Sequence, residues 1–283
     1  MKRILNCCTS DFNAQPGAEE LFAAMKASEG RTLLAEVAAD TVPLYPDVTN
    51  AELVSAFGAD LILLKGYNTE AHSVAGAPGE GGYKHIKLLT GRLVGVSLEV
   101  VGNPDIENPR CLTQKTLERV RDADFLCLTG YDKPDVDKQT MLEAIKLAQA
   151  YFPGFLMVAK FYAKGLAEAA EYAEYISAGA HAAVIPAPGS CPGSREEVVS
   201  RAVDAVHRAG GLAMTTISSS QEGADPETVK LIGLASKRCG SDVHNFGDAG
   251  CAGIAAPEAI QALSIAIRGK RHTYVRMASS ILR

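Results

Sequence analysis

Eight short apolar runs, starting roughly 30 residues apart, leave this chain few folds to choose from. The runs are Leu33–Val37, Leu61–Leu64, Val94–Val100, Phe125–Leu128, Phe155–Ala159, Ala182–Ile185, Leu212–Ile217 and Val243–Phe246. Each is followed by an amphipathic stretch such as Leu142-Glu143-Ala144-Ile145-Lys146-Leu147-Ala148, which can lay one face on a sheet. A strand and a helix fit within each repeat. Eight such units suit a closed (β/α)8 TIM barrel, whereas an open doubly wound sheet would more often use fewer strands. No Gly-x-Gly-x-x-Gly opens the first unit, which argues against a dinucleotide-binding sheet.

Punctuation between the runs supports the count. Thr49-Asn50-Ala51-Glu52 and Ser194-Arg195-Glu196-Glu197 read as capping boxes, in which a hydroxyl and a carboxylate satisfy free amides at a helix start. Asp225-Pro226 and Ala256-Pro257 place proline at a first helical position, where its missing N–H costs nothing. Gly58, Gly91, Gly154, Gly179 and Gly210-Gly211 stand where helices should end. Gly17–Ser28 is expected to form an extra helix before the first strand, covering the bottom or side of the barrel. The chain of 283 residues then reads as a single domain over 1–283, with residues 1–31 as an N-terminal helical extension and 268–283 as a C-terminal segment.

Composition narrows the partners. A formal net charge of −5 argues against a nucleic-acid footprint, which needs a concentrated basic face. Only Arg268-Gly269-Lys270-Arg271-His272 is locally basic, and it reads as a solvated helix end or a contact in a homo-oligomer. No apolar stretch reaches the roughly 18 residues of a membrane span, and no secretory signal opens the chain. The seven cysteines include no Cys-x-x-Cys pair, so a reducing, cytoplasmic setting is expected.

In a barrel of this kind the reactive groups lie at the carboxyl ends of the strands. That rule selects Glu36 after the first run, Lys65 after the second, Glu99 at the end of the third and Lys160 after the fifth. In the third run Val94, Val96, Leu98 and Val100 share one face, so Glu99 should point into the mouth with Gly95 and Ser97. Lys160 is in phase with Leu156 and Val158, and either face of that strand could be the inner one. A lysine in a partly apolar mouth loses hydration, its pKa falls, and its neutral amine can attack a carbonyl. Lys160 is the first choice for such an amine and Lys65 the second, with Glu36 and Glu99 as acid/base groups; a structural charge network of the four is the competing reading. The loops after the seventh and eighth runs are rich in small residues, and Ser219, Gly223, Gly247, Asp248, Gly250 and Gly253 form a candidate phosphate site. Glu222 and Asp248 would oppose an anion if they faced it. The function expected is lyase, aldolase or isomerase chemistry on a small phosphorylated carbonyl compound, with no assured cofactor. Alternatives are a divalent metal held by Glu36, Glu99, His244 and Asp248, or a sugar-phosphate-binding protein without turnover. Cys191, between Ser190 and Pro192, is a nucleophile candidate that lacks a placed histidine.

Several segments carry a resemblance. Asp47-Val48-Thr49-Asn50-Ala51-Glu52-Leu53, Ala56–Leu64, Pro186-Ala187-Pro188-Gly189, Gly247-Asp248-Ala249-Gly250 and Ala262–Tyr274 resemble a bacterial TIM-barrel family of undetermined function. Its members are often labelled haloacid dehalogenase-like hydrolases and are commonly found near sugar-uptake genes. The resemblance covers most of the chain and implies the barrel, a bacterial cytoplasmic setting and a phosphorylated carbohydrate. It carries no catalytic set. Haloacid dehalogenases use Asp-x-Asp at the end of a first strand; here Asp122-Ala123-Asp124 precedes the fourth run and should lie at the opposite face.

Overall fold

The computed structural model describes residues 1–79, 81–103, 107–163 and 165–283. Its strands are β1 (Thr32–Ala38), β2 (Leu61–Lys65), β3 (Leu93–Val100), β4 (Phe125–Gly130), β5 (Phe155–Lys160), β6 (Ala182–Pro186), β7 (Leu212–Ile217) and β8 (Val243–Phe246). They pair in parallel in sequence order and close between β8 and β1. The helices are α1 (Ala18–Lys26), α2 (Asn50–Ala56), α3 (Gly82–Thr90), α4 (Gln114–Arg119), α5 (Lys138–Tyr151), α6 (Ala169–Ser177), α7 (Glu196–Arg208), α8 (Pro226–Arg238) and α9 (Pro257–Met277). The fold is thus a (β/α)8 TIM barrel. Among the described residues no helix is long and apolar enough to cross a membrane.

Two dry layers hold it together. Outward side chains such as Val94, Val96, Leu98, Leu126, Leu128, Leu156 and Val158 pack under the helices. Inward ones, among them Leu34, Leu61, Leu63, Phe125, Phe155, Met157 and Met214, fill the barrel, and the bottom is stoppered by Ile4, Phe12, Leu21 and Met25. The expected N-terminal helix is therefore α1, and it serves as a plug. Gly95 makes room for this filling, because a Cβ there would lie 2.2 Å from the Phe125 ring.

The capping box at Thr49 forms as expected, with the Thr49 hydroxyl accepting from Glu52 N and the Glu52 carboxylate from Thr49 N. The one expected at Ser194 does not. Arg195 is the cap of α7, and the Ser194 hydroxyl donates to Cys191 O within its own loop.

A recurrent device fixes the bottom of the barrel. The side chain just before each even strand accepts a hydrogen bond from an amide at the start of the preceding odd strand. Asp60 takes Leu33 N at 2.9 Å, Asp124 takes Val94 N at 2.8 Å, His181 takes Leu156 N at 3.0 Å and Asp242 takes Ala213 N at 2.8 Å. Strand starts lack a ladder partner for these amides, and a buried amide left unpaired costs about 1–3 kcal/mol. Asp124 of the Asp-x-Asp is one of these caps, and it also pairs with Lys87 at 2.6 Å.

His244 lies in β8 on the helix-facing side, with Nε2 3.2 Å from Gly30 O. Burial holds its pKa down to about 4. An unfolded imidazole titrates near 6.5, so between those values the unfolded chain takes up a proton that the native state refuses. Stability from this residue is complete above about pH 6.5 and declines as the pH falls toward 4, by about 3 kcal/mol. Urea unfolding of the wild type and His244→Gln across this range should show the variant with the shallower acid slope. Parallel slopes would contradict the assignment.

Candidate functional site

The C-terminal ends of the strands gather a polar cluster above the apolar filling. Glu36 and Lys65 are both 7% exposed, while Ser97, Thr129, Thr216 and Asn245 are buried. Asn245 Nδ2 donates to Glu36 Oε1 at 2.7 Å and to Thr216 Oγ1 at 2.9 Å. On the other side, Lys65 Nζ donates to Thr129 Oγ1 at 3.3 Å, and Thr129 and Ser97 share a hydroxyl–hydroxyl bond of 2.7 Å. Lys65 also lies 5.4 Å from the centre of the Tyr131 ring, which stacks on Phe161.

The electrostatics follow from burial. Loss of hydration pushes the Glu36 carboxyl above the usual carboxylate range, against the pull of the Lys65 ammonium. Burial acts on Lys65 in the direction of neutrality, yet Glu36, Tyr131, Cys127 and Asp248 together outweigh it and raise its pKa above the ordinary lysine value. Lys65 is therefore an ammonium ion held in a dry mouth. That opposes the expectation of a lysine with lowered pKa.

Half-buried Glu99 stands at the inner face of β3, and its charge acts on Tyr131 from that side of the mouth. The charge of Asp248, in the loop after β8, acts on Glu36, Lys65, Tyr131 and Glu222. Three of the four residues chosen from strand ends, Glu36, Lys65 and Glu99, thus share one rim.

Lys160 does not join them, and its choice as the reactive amine is corrected here. It continues the outward face of β5, in phase with Leu156 and Val158. Its stem runs against Gly130, where a Cβ would come within 3.2 Å of Lys160 Cδ and 2.5 Å of Met141 Sδ. Nζ donates to Tyr131 O at 3.0 Å and Phe161 O at 3.1 Å, and sits 4.2 Å from the Tyr162 ring centre. Burial does lower its pKa, but on the outward face of β5, with the amine held by the Tyr131 and Phe161 carbonyls. The metal set fails for a similar reason, since His244 faces the helices. Among the described residues no group of three or more histidine, cysteine, aspartate or glutamate side chains could hold a metal ion. Burial raises the Cys191 thiol, the opposite of nucleophile activation.

The glycine-rich loops after β7 and β8 do meet, and two of their amides are already engaged. The Gly247 amide donates to Ile217 O and the Gly223 amide to Ser220 O, so both are spent within the backbone. Gly253 packs on Ala38 and Thr41 and gives its carbonyl to the Ala38 amide. Ser219 is exposed in a left-handed conformation with φ of 57°. The space left by Gly247 is taken by Glu222, whose Oε1 is 3.3 Å from where a Cβ would stand, and Gly250 lies against the Glu222 carbonyl. Burial raises the Glu222 pKa, partly offset by the nearby amides of Glu222, Ser220 and Ala249, while Oε2 itself accepts no hydrogen bond.

Asn245, Thr216, Ser97 and Tyr131 were not selected from the sequence. Alternation along β7 and β8 carried the signal for the first two, since Thr216 and Asn245 share a phase with the inward Met214 and Val243.

The family follows from a match to one model over residues 5–283. The chain belongs to the family described as Domain of unknown function (DUF7916). No curated protein sequence matches it. Among solved structures this DUF7916 barrel is similar to thiamine phosphate pyrophosphorylase from Pyrococcus furiosus, with a TM-score of 0.52 and 13% identity over 85% of this chain and 97% of that one. It is also similar to a chain of the Amycolatopsis orientalis BexX/CysO complex, with a TM-score of 0.50 and 13% identity over 88% and 92%. Identity this low shows the shared fold alone. The haloacid dehalogenase label finds no support, because Asp122 and Asp124 lie at the bottom of the barrel in ion pairs with Lys84 and Lys87.

Proposed function

We propose that this protein is an enzyme that acts on a small carbonyl compound by acid/base catalysis through an enolate, in isomerisation or carbon–carbon cleavage. The observation that carries this reading is a buried carboxylate with a raised pKa, Glu36, facing a buried ammonium, Lys65, on one rim. Glu36 removes a proton from the carbon beside the carbonyl, and the electron pair moves onto the carbonyl oxygen. The Lys65 ammonium, aimed by Thr129 and Ser97, stabilises that oxyanion. Return of the proton to the former carbonyl carbon, with the hydroxyl proton passing between the two oxygens, isomerises a hydroxycarbonyl substrate. In cleavage Glu36 instead takes the proton of the hydroxyl one carbon further on, the carbon–carbon bond breaks, its pair forms the enolate that Lys65 stabilises, and the proton is returned to the enolate carbon. A Schiff base is not required, and the charged state of Lys65 disfavours one.

Solvent-deuterium exchange, followed by NMR against a panel of small aldoses, ketoses and oxoacids with and without phosphate, tests the proposal. Exchange at the carbon next to the carbonyl is expected, with no borohydride-trapped adduct on Lys65 or Lys160. Trapping at Lys65 would replace this mechanism with a covalent one. Ligand-induced thermal stabilisation without any exchange across the panel would reassign the barrel as a binding protein.

A further inference from the structure

The β7–β8 side of the mouth carries two polar atoms with nothing to bind. Asn245 is 1% exposed, and its Oδ1 has no hydrogen-bond partner, although its Nδ2 is fully engaged by Glu36 and Thr216. Glu222 is 3% exposed, and its Oε2 is likewise unpartnered. Both atoms are acceptors, and both lie beside the proposed reacting centre: Asn245 touches Glu36, and the charge of Glu222 is felt there. A buried acceptor without a donor costs about 1–3 kcal/mol, which a ligand bringing a donor would recover.

The charge around them has one sign. Glu36, Glu99, Glu222 and Asp248 face the mouth, and Lys65 is the ammonium set against them. Two of the amides that a phosphate would use on this fold, those of Gly223 and Gly247, close backbone bonds, and the amides of Ser220 and Ala249 lie near the Glu222 carboxylate. A phosphate ester entering here would meet carboxylates where it needs donors.

We propose that Glu222 and Asn245 form a recognition site for a hydrogen-bond-donating group of the substrate, a hydroxyl or an ammonium, and that the site rejects a phosphate ester in that position. Specificity then comes from pairing buried acceptors, a form of selection in which the analogue lacking the donor loses heavily. The proposal rests on the mouth being the substrate site, as in the preceding reading, and corrects the phosphorylated substrate expected from the glycine-rich loops.

The test is equilibrium binding by calorimetry and thermal shift on the full chain. Matched probes are dihydroxyacetone and its phosphate, fructose and fructose 6-phosphate, and glucosamine and glucosamine 6-phosphate, with inorganic phosphate alone. An unesterified compound should bind, and its phosphate ester should bind at least about tenfold more weakly. The fructose and glucosamine arms separate hydroxyl from ammonium as the donor. Glu222→Gln should weaken the unesterified ligand about tenfold and shrink the handicap of its ester. The wild-type ratio of ester to parent needs no variant, so a folding defect in Glu222→Gln leaves the test intact. An ester binding as tightly as its parent, stabilisation by inorganic phosphate, or no binding by any unesterified compound would overturn the proposal. The same titrations on Glu36→Gln keep the two readings apart: the preference among ligands should survive there even if no proton exchange is ever detected.

Discussion

Replacing Asp60 with alanine should cost about 3–5 kcal/mol in urea unfolding, the range for stripping one partner from a buried ion pair. Asp60 is fully buried, and it binds Arg268 Nη1 at 2.5 Å and Arg276 Nε at 2.7 Å while capping the Leu33 amide. A third guanidinium, Arg92, is buried beside them and is pushed down to about 10 by burial and by Arg276. One carboxylate therefore pairs with two buried cations and acts at longer range on a third. Most of their other donors reach backbone carbonyls: Arg276 holds Cys7 O and Ile4 O, Arg92 holds Ala59 O and Arg276 O, and Arg268 holds Gly58 O, while Arg268 Nε donates to the Ser264 hydroxyl. This knot ties α9 and the N-terminal plug to the bottom of the barrel. Without Asp60 the cations are uncompensated, and a total stability of about 5–15 kcal/mol leaves little margin. Asp60→Asn keeps the amide cap but not the charge, so it should fall between the wild type and Asp60→Ala. A loss below 1 kcal/mol for Asp60→Ala would show that the carbonyls alone hold the arginines.

Glu36→Gln is the second substitution with a large expected effect. Glutamine keeps the length and can still accept from Asn245 Nδ2, so the mouth should keep its shape. It cannot take a proton from carbon. Removal of a general base costs about 10²- to 10⁴-fold, and the loss should appear in the exchange rate, with melting temperature little changed. Glu36 is raised above the ordinary carboxylate range, so its basic form is depleted in mild acid. The wild-type rate should therefore climb with pH through a pKa above the ordinary glutamate value of 4.5, and that limb should be missing in Glu36→Gln. Exchange within threefold of the wild type, or an unaltered pH limb, would remove Glu36 from the reaction. Lys65→Met should also slow exchange. By deleting a cation that favours the Glu36 carboxylate, it should push any residual acid limb to higher pH.

Legibility differed from residue to residue for identifiable reasons. Glu99 could be placed because Val94, Val96, Leu98 and Val100 mark the face of β3 under the helices, while Gly95 and Ser97 mark the other. Lys160 could not, because Phe155, Met157 and Ala159 on one face of β5 are as apolar as Leu156 and Val158 on the other. Both faces of a parallel barrel strand are dry, so hydrophobicity does not tell inside from outside. β8 has only four residues, and His244 looked as eligible as Asn245. The basic Arg268 read as a solvated helix end; the structure buries it against Asp60, more than 200 positions earlier in the chain. The bottom caps were present in the sequence as Asp60, Asp124, His181 and Asp242, each just before an even strand, and only the bonds to the neighbouring strand give the pattern its meaning.

The sequence by itself determined the number of units, the order of strand and helix, several helix caps and the short register of strand-end residues from which a site could be drawn. These are local properties, written in spacings that each stretch of chain carries alone. Tertiary structure decided which strand faces turn inward, that Glu222 fills the gap between two glycine-rich loops, and that Lys65 stays charged. Those outcomes depend on what lies across the barrel, because burial and the field of distant carboxylates are set by neighbours brought together only when the ring closes.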